Sequence, residues 1–291
     1  MTSAKAGAIA HGAATIINAM ATGEGVALGV DLWTKAEVEL IDEPGVFKSE
    51  IASDPSEGTL LIEKTVWRVL KRFAVEGQFG AKVKTMSNIP IARGLKSSSA
   101  AANAVALATT SALQKSLDDI ELVNIGVEAA FDAKVTVTGA FDDACASYFG
   151  GLVMTDNLNR NLIMRTSLPE GLSVLFHVPD KKAYTADSDL NRIRTLAPLV
   201  KLAYREAKHA NFWTALSLNG LLYSSALGFD ASIALDALGA GAVAAGLCGK
   251  GPAVTTVVSE ENFERVKQVL QRYKGRIIHA QFNLEKASVV T

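Results

Sequence analysis

Cysteine is scarce in this sequence, and neither sign of charge is in excess. The 291 residues include only Cys145 and Cys248, with no CxxC pair, which argues against a disulfide framework and against a zinc site. The formal net charge is −1, so no long-range attraction to nucleic acid or to an anionic membrane is expected. Apolar runs of about 18 residues are missing, which predicts that no helix spans a membrane. These absences favour a cytoplasmic protein with neither nucleic acid nor a membrane as its partner.

The two commonest nucleotide-binding signatures are also missing. The chain contains neither a GxxxxGK[ST] loop nor a GxGxxG turn between a strand and a helix. The four histidines have no metal-ligand spacing and are typical of ordinary surface or core residues: His11, His177, His209 and His279. A nucleotide phosphate would therefore have to be held by local donors of another kind.

The spacing of apolar residues predicts both helices and strands. Helical spacing predicts helices over 59–76 and 118–133, whereas alternation predicts strands over 26–41 and in VTVTG, residues 135–139. Prolines and glycines mark 42–58 as a loop. The chain ends on a strand, a helix and another strand, which suggests an α+β fold.

Residues 90–101, PIARGLKSSSAA, carry the clearest functional signal. Gly94 lets the backbone turn where a side chain would clash, and three serines then open a helix of small residues. The first N–H groups of a helix have no partner inside it, and the helix dipole favours negative charge there. Such a helix start can bind a phosphate. Taken alone, the segment also fits a serine cap on a core helix.

Two further segments strengthen the phosphate interpretation. Residues 246–258, GLCGKGPAVTTVV, form a second glycine cluster that runs into a strand. Residues 138–151, TGAFDDACASYFGG, place an acidic pair between glycine-bounded turns. An anion-binding helix start, a carboxylate pair and a second glycine loop are the parts that a phosphoryl-transfer enzyme needs.

These segments resemble the GHMP kinase superfamily, which includes galactokinase, homoserine kinase, mevalonate kinase and phosphomevalonate kinase. PIARGLKSSSAA is similar to its PxxxGLGSSAA phosphate loop, and GLCGKGPAVTTVV is similar to its C-terminal glycine motif. With the opening GAATIINAMATGEGVALGVDL, the forms GLKSSSAAANA and TGAFDDA resemble the archaeal-type shikimate kinases of that superfamily. The resemblance covers about residues 6–258.

The resemblance implies a two-lobed α+β GHMP kinase fold. Residues 1–155 would form an N-terminal lobe like domain 2 of ribosomal protein S5, and residues 156–291 a ferredoxin-like C-terminal lobe. It also implies ATP and Mg²⁺ as cofactors and shikimate as the substrate, phosphorylated on its 3-hydroxyl. The alternatives are another small alcohol, such as homoserine or mevalonate, and a GHMP-fold protein that binds small molecules without catalysis. The sequence makes no prediction about the oligomeric state.

The same resemblance assigns the residues of the site. The nucleotide would be bound by the phosphate loop and by two glycines of the second cluster: Pro90, Ile91, Ala92, Arg93, Gly94, Leu95, Lys96, Ser97, Ser98, Ser99, Ala100, Gly249 and Gly251. Ser99 and Glu128 would hold Mg²⁺, although Glu128 also fits a solvated surface glutamate. Asp142 aligns with the catalytic aspartate and would take or orient the hydroxyl proton of the substrate. Asp143 fits better as the cap of the following helix.

Lys96 departs from the superfamily pattern, and four further residues are candidates for binding the substrate. The superfamily usually has glycine where this chain has Lys96, which would contact a phosphate or point to solvent. Shikimate offers a carboxylate and three hydroxyls, so we expect arginine or lysine at the carboxylate and aspartate or asparagine at the hydroxyls. The candidates are Asn18, Asp31, Arg192 and Arg194.

Overall fold

Two β-sheets organise the chain. The computed structural model describes residues 4–136, 138–180 and 190–290. The strands of the described residues are β1 (Lys5–Ile17), β2 (Glu24–Ile41), β3 (Phe47–Ile51), β4 (Gly80–Ser87), β5 (Leu152–Asp156), β6 (Asn161–Thr166), β7 (Leu172–Val178), β8 (Ala244–Leu247), β9 (Val254–Ser259), β10 (Arg276–Ala280) and β11 (Ser288–Val290). The helices are α1 (Leu60–Arg72), α2 (Ser97–Ala112), α3 (Asp119–Asp132), α4 (Phe141–Phe149), α5 (Leu190–Arg194), α6 (Ala197–Lys208), α7 (Phe212–Leu227), α8 (Ser232–Gly239) and α9 (Phe263–Leu270).

The first sheet is built on the long antiparallel pair β1 and β2. The first half of β2 also pairs with β5, and its second half pairs with β4, so that β2 joins two parts of the sheet. β3 extends one edge parallel to β4, β6 pairs with β5, and β11 pairs with β1 at the opposite edge. Buried and exposed residues alternate over 32–41, as expected where only one face of a sheet is covered.

Helices α1 to α4 cover one face of the first sheet. α2 lies against β1 and β2 and also contacts α1, α3 and α4. Its sequence, SSSAAANAVALATTSA, consists almost entirely of small residues, which lets these neighbours approach closely. α2 is therefore a buried helix whose first turn opens at the end of the sheet.

The second sheet has the strand order β10-β7-β9-β8 and is antiparallel throughout. α8 and α9 pack on one face, where Leu175 and Val258 meet Val266. α6 and α7 pack on the other face, between the two sheets. Ile16 and Leu28 of the first sheet share one apolar core with Tyr223, Val257 and the rest of this face. The two sheets are thus joined through α6 and α7, as expected for a two-lobed α+β protein.

Two local predictions are wrong, both in short segments. VTVTG forms no strand in the part that the structure describes: residues 135 and 136 are irregular, and Gly139 and Ala140 have φ of +80° and +50°. This left-handed backbone turns the chain directly into α4. Conversely, the segment 42–58 contains β3, which pairs with β4. β3 has only five residues, FKSEI, of which two are apolar, so the sequence pattern did not reveal it.

The division of the chain into lobes of residues 1–155 and 156–291 stays a prediction. The β5–β6 hairpin crosses that division and belongs to the first sheet, and so does β11. Among the described residues, no helix is both long enough and apolar enough to cross a bilayer.

Candidate active site

A cavity of about 450 Å³ lies where the first turn of α2 faces the beginning of α4. Its wall also includes the ends of β1 and β4 and the loop that follows β8. We call residues 90–100 the phosphate loop, residues 248–252 the glycine loop, and Asp142 with Asp143 the acidic pair. All three segments contribute to the wall.

The phosphate loop presents an uncapped helix start to this cavity. Gly94 has φ +90° and Lys96 has φ +66°, and α2 begins at the next residue. No side chain caps the helix, and the N–H group of Ala100 is bonded to the carbonyl oxygen of Lys96 at 3.1 Å. Ser97, Ser98 and Ser99 line the cavity. The positive end of the α2 dipole and its first N–H groups are therefore directed at the space where an anion would bind.

The glycine loop holds the phosphate loop in place from the second lobe. The thiol of Cys248 donates to the carbonyl oxygen of Gly94 at 3.1 Å. The N–H of Ala253 donates to the carbonyl oxygen of Arg93 at 3.2 Å. A Cβ atom at Gly94 would overlap the carbonyl oxygen of Cys248. Glycine is thus required at position 94 both by its positive φ and by this backbone contact.

Asp142 is buried at the start of α4 and held by Asn157. The side-chain amide of Asn157 donates to Asp142 Oδ1 at 2.8 Å, and its oxygen accepts the N–H of Asp142 at 3.2 Å. The hydroxyl of Thr155 donates to the same Asn157 oxygen at 2.7 Å. A Cβ at Gly25 would lie 2.6 Å from Asp142 Oδ2, so the glycine in β2 leaves the room that the carboxylate occupies.

The surroundings of Asp142 change its acidity. Burial, followed by the charge of Asp143, raises the pKa of Asp142 to about 7, while the Asn157 hydrogen bond and the charge of Lys96 act in the opposite direction. A carboxyl group with a pKa near neutral pH can accept a proton and release it again under physiological conditions. This is the property that a general base needs.

Lys96 and Asp143 form an ion pair beside Asp142, with 3.1 Å between Nζ and Oδ2. Their side chains are 9% and 13% exposed. The Lys96 side chain therefore does not point to solvent, whereas its contact with a phosphate stays a prediction, because Lys96 also lines the cavity. Asp143 does not cap α4 either: the cap position is Ala140, and no side chain caps the helix. Both members of the acidic pair line the cavity, although only one was expected there.

Several other predicted nucleotide-binding residues lie in the cavity wall: Ile91, Ala92, Gly249 and Gly251. The structure does not bring Pro90, Arg93, Leu95 or Ala100 to the wall. Leu95 and Ala100 are fully buried in the apolar core and so anchor the phosphate loop to it.

The structure places Glu128 away from the cavity. Its carboxylate forms ion pairs with Arg68, at 3.2 Å, and with Arg160. Gly126, Val127 and Ala130 of α3 line the cavity, but Glu128 does not. Because two arginines already neutralise this carboxylate, the surface interpretation of Glu128 fits better than the metal-binding one.

Of the four substrate candidates, the structure brings Asn18 to the cavity. Its side-chain amide donates to the carbonyl oxygen of Gly249 at 3.0 Å, and its backbone N–H donates to Asn219 Oδ1 at 3.1 Å, so Asn18 links the two lobes. The other three do not line the cavity. Asp31 is exposed and accepts the N–H of Gln281, Arg192 donates to the carbonyl oxygen of Ser225, and Arg194 is exposed.

Sequence reasoning missed three residues of the site. Asn157 lies in a turn, 14 residues after Asp143, and no local sequence pattern marks it. Gly25 lies inside a strand, where an isolated glycine indicates a close approach of another group. Lys250 lies within the glycine motif itself and lines the cavity. Burial, followed by the charge of Lys96, lowers the pKa of Lys250 to about 8.

Comparison with families of known proteins agrees with this geometry. Residues 61–151, which contain the phosphate loop and the acidic pair, match the model of the GHMP kinases N terminal domain. The solved structures that resemble this fold include homoserine kinase from Cytophaga hutchinsonii, with a TM-score of 0.77 at 18% identity, covering 100% of this chain and 98% of that one. Mevalonate kinase of Methanococcus jannaschii has a TM-score of 0.76 at 15% identity, covering 95% and 98%. At these identities the likeness concerns the fold.

Curated relatives are similar over nearly the whole chain. Shikimate kinase of Methanosarcina mazei is 45% identical over 278 residues, covering 95% of this chain and 94% of the relative. Shikimate kinase of Methanothermobacter thermautotrophicus is 42% identical over 284 residues, covering 96% of each. Shikimate kinase of Pyrococcus furiosus is 42% identical over 267 residues, covering 91% and 95%.

Proposed function

We infer that this chain, which belongs to the GHMP kinase family, transfers the γ-phosphoryl group of ATP to the 3-hydroxyl of shikimate. The observation that carries this proposal is the similarity, over more than nine-tenths of the chain, to shikimate kinases. The cavity supports it because an uncapped helix start and a carboxylate of near-neutral pKa face the same space. A phosphoryl-transfer enzyme needs these two elements close together.

The residues present fit the phosphates of ATP. The first turn of α2 has no side-chain cap, so its N–H groups remain for a ligand. Gly94 and Gly249 both have positive φ and bring backbone, without Cβ atoms, to the two sides of the cavity. We assign the phosphates to the N–H groups of Ser97, Ser98 and Ser99, with the α2 dipole as an additional attraction.

Mg²⁺ would be held at the same helix start. Ser99 lines the cavity and carries a hydroxyl, and Mg²⁺ usually combines few protein oxygens with phosphate oxygens and water. In the described ranges of the chain, no group of three or more His, Cys, Asp or Glu side chains is arranged around a metal position. The ion therefore fits as a companion of the nucleotide, where it would neutralise phosphate charge.

Asp142 would act on the acceptor. Its Oδ1 atom is engaged by Asn157, so Oδ2 is the atom that takes the hydroxyl proton while the oxygen–phosphorus bond forms and ADP leaves. Burial excludes water from this step, and the Asn157 bond keeps the carboxylate from rotating away. Catalysis here is mainly positioning, as in other phosphoryl transfers.

We also propose that Lys250 meets the carboxylate of shikimate. It lines the cavity and forms no ion pair with any residue in the described part of the chain. A substrate carboxylate would supply the missing negative charge, and Lys250 replaces Arg192 and Arg194 in this role.

The protein would act in the cytoplasm on small molecules. Cys145 and Cys248 are both buried free thiols, which fits a reducing compartment.

The test is ADP release by the purified chain with Mg-ATP and shikimate, homoserine or mevalonate in parallel. We expect release with shikimate only, and shikimate 3-phosphate as the product in ³¹P NMR. The Asp142→Asn variant serves as the control for contaminating kinases. Brisk release with homoserine or mevalonate but not with shikimate would refute the substrate, and no release with any alcohol would favour a binding protein.

A further inference from the structure

Lys96 has a backbone conformation that a lysine rarely adopts. It precedes α2 with φ +66° and ψ +30°, in the left-handed region that favours glycine. The phosphate loop of the superfamily that this chain resembles usually has glycine at this position. A residue held in a strained conformation at a site of this kind calls for an explanation from its side chain.

The Lys96 side chain crosses the cavity wall to reach the acidic pair. It is 9% exposed, and its Nζ atom lies 3.1 Å from Asp143 Oδ2. A Cβ at Gly249 would overlap this Nζ atom, so the glycine loop leaves the ammonium group its space. The lysine therefore connects the phosphate loop, the glycine loop and the start of α4 at one point.

The charged and titratable groups that face the acidic pair come from four elements. They are Lys96 of the phosphate loop, Cys248 and Lys250 of the glycine loop, Cys145 of α4 and Tyr223 of α7. Burial raises the pKa values of Cys145 and Tyr223, which stay neutral around pH 7. Among the described residues, Lys96 forms the ion pair with Asp143, and β2 and β5 contribute uncharged groups on the other side.

We propose that Lys96 is a positioning residue that keeps Asp143 occupied as its ion-pair partner and thereby leaves Asp142 as the carboxylate that takes the hydroxyl proton. This proposal rests on the proposed function for the identity of the hydroxyl, but the roles of the three side chains do not depend on which alcohol is bound. It assigns different tasks to two adjacent carboxylates: Asp143 is bound to a cation, and Asp142 to an uncharged amide.

The two partners have opposite effects on Asp142. The charge of Asp143 raises the pKa of Asp142, and the charge of Lys96 lowers it. Without Lys96 the base would be protonated over more of the neutral pH range. Without Asp143, Lys96 would face Asp142 alone, and the base would ionise at lower pH.

The experiment compares the pH dependence of kcat/KM in Lys96→Gly, Asp143→Asn and the double variant. Lys96→Gly suits the backbone, because glycine accepts this φ, and should fold. In the unmodified chain, kcat/KM should fall on the acid side with a midpoint near pH 7, where Asp142 becomes protonated. In Lys96→Gly this midpoint should rise by about one pH unit, so that kcat/KM well below the midpoint is about tenfold lower than in the unmodified chain. The midpoint should move to lower pH in Asp143→Asn, and the midpoint of the double variant should lie between those of the two single variants.

Two matched variants separate charge from shape. Lys96→Met keeps most of the side-chain volume and should move the midpoint in the same direction as Lys96→Gly. Gln114 has φ +55°, is exposed beyond the far end of α2 and does not line the cavity, so Gln114→Gly relieves similar backbone strain away from the site. Its midpoint should equal that of the unmodified chain.

A second readout does not require turnover. ¹³C NMR titration of the aspartate carboxyl carbons, with Asp142 assigned by its loss in Asp142→Asn, measures the same midpoint directly. A midpoint unchanged in Lys96→Gly, or shifted in the same direction in both single variants, would overturn the proposal. A raised KM for ATP with an unchanged midpoint would make Lys96 a phosphate ligand. If shikimate is not phosphorylated while the NMR shifts appear as expected, the proposed substrate fails and the role of Lys96 stands.

Discussion

Helices α2 and α4 begin at the same cavity in similar ways, but with opposite chemistry. Each follows a residue in the left-handed region, Lys96 at φ +66° and Ala140 at φ +50°, and neither start has a side-chain cap. The first turn of α2 contains three uncharged serines, whereas that of α4 contains Asp142 and Asp143. Both helix starts favour negative charge. At α4 the protein supplies that charge itself, and at α2 it leaves the position to a ligand.

This difference separates binding from turnover. Changes at the start of α2 should affect nucleotide affinity, and changes at the start of α4 should affect the rate of the chemical step. Lys96 is the exception, because its side chain reaches the acidic pair. Apart from it, a substitution at either helix that changed the other property would contradict the comparison.

The largest effect is expected at Gly94. A Cβ there overlaps the carbonyl oxygen of Cys248, and the backbone has φ +90°, so Gly94→Ala must displace the phosphate loop. We expect no measurable ATP binding by calorimetry. Gly171→Ala is the matched control, because Gly171 has φ +76° and open space around its Cβ position. Normal ATP affinity in Gly94→Ala, with a folded circular dichroism spectrum, would mean that the nucleotide does not use this loop.

The next effect is expected at Asp142. Asp142→Asn keeps the shape of the side chain and removes the proton acceptor, so kcat should fall by about 10²–10⁴-fold. The affinity for ATP should hardly change, since the phosphates are bound at α2. A greater loss of kcat in Asp143→Asn than in Asp142→Asn, measured side by side, would assign the base to the other carboxylate.

A smaller effect is expected at Ser99. Ser99→Ala removes one hydroxyl but keeps the backbone N–H groups of α2, so the KM for Mg-ATP should rise about tenfold, corresponding to about 1.4 kcal/mol. Ser111→Ala, at the other end of the same helix, is the control. An unchanged KM at limiting Mg²⁺ would remove Ser99 from the metal site.

The smallest effect is expected at Glu128, which lies outside the cavity. Glu128→Ala breaks two partly exposed ion pairs, with Arg68 and Arg160, and should reduce the free energy of unfolding by about 1 kcal/mol or less. Urea denaturation measures this change, and turnover at limiting Mg²⁺ should stay normal. Reduced turnover at low Mg²⁺ that recovers at high Mg²⁺ would restore the metal-binding interpretation.

The sequence indicated those parts of the site that are continuous in the chain. The phosphate loop, the glycine motif and Asp142 were all named from short segments, because a helix start or a tight turn is encoded by adjacent residues. The sequence could not show which positions of α3 face the cavity, because that depends on how α3 packs, and Glu128 pairs with two arginines outside the cavity wall. Asp31, Arg192 and Arg194 were candidates by chemistry alone, and the fold keeps them away from the cavity.

Contacts between residues far apart in the chain could not be predicted from short sequence segments. Lys96 and Asp143 are 47 positions apart, and nothing in PIARGLKSSSAA shows that the lysine turns inward. Asn157 reaches Asp142 only because β5 runs beside β2. The strand predicted over 135–139 failed for a related reason, since the left-handed backbone at Gly139 and Ala140 turns the chain into α4.

The pairing of β11 with β1 has a consequence for synthesis of the protein. Residues 7–9 pair with residues 288–290, and the segment before β11 also bonds to α4, where the N–H of Ala287 donates to the carbonyl oxygen of Tyr148. A ribosome makes the phosphate loop and α4 before β11, so this edge of the first sheet stays unpaired until residue 290 has left the exit tunnel. The first sheet is thus completed only after the strands of the second sheet have been translated. Such a long sequence separation slows folding.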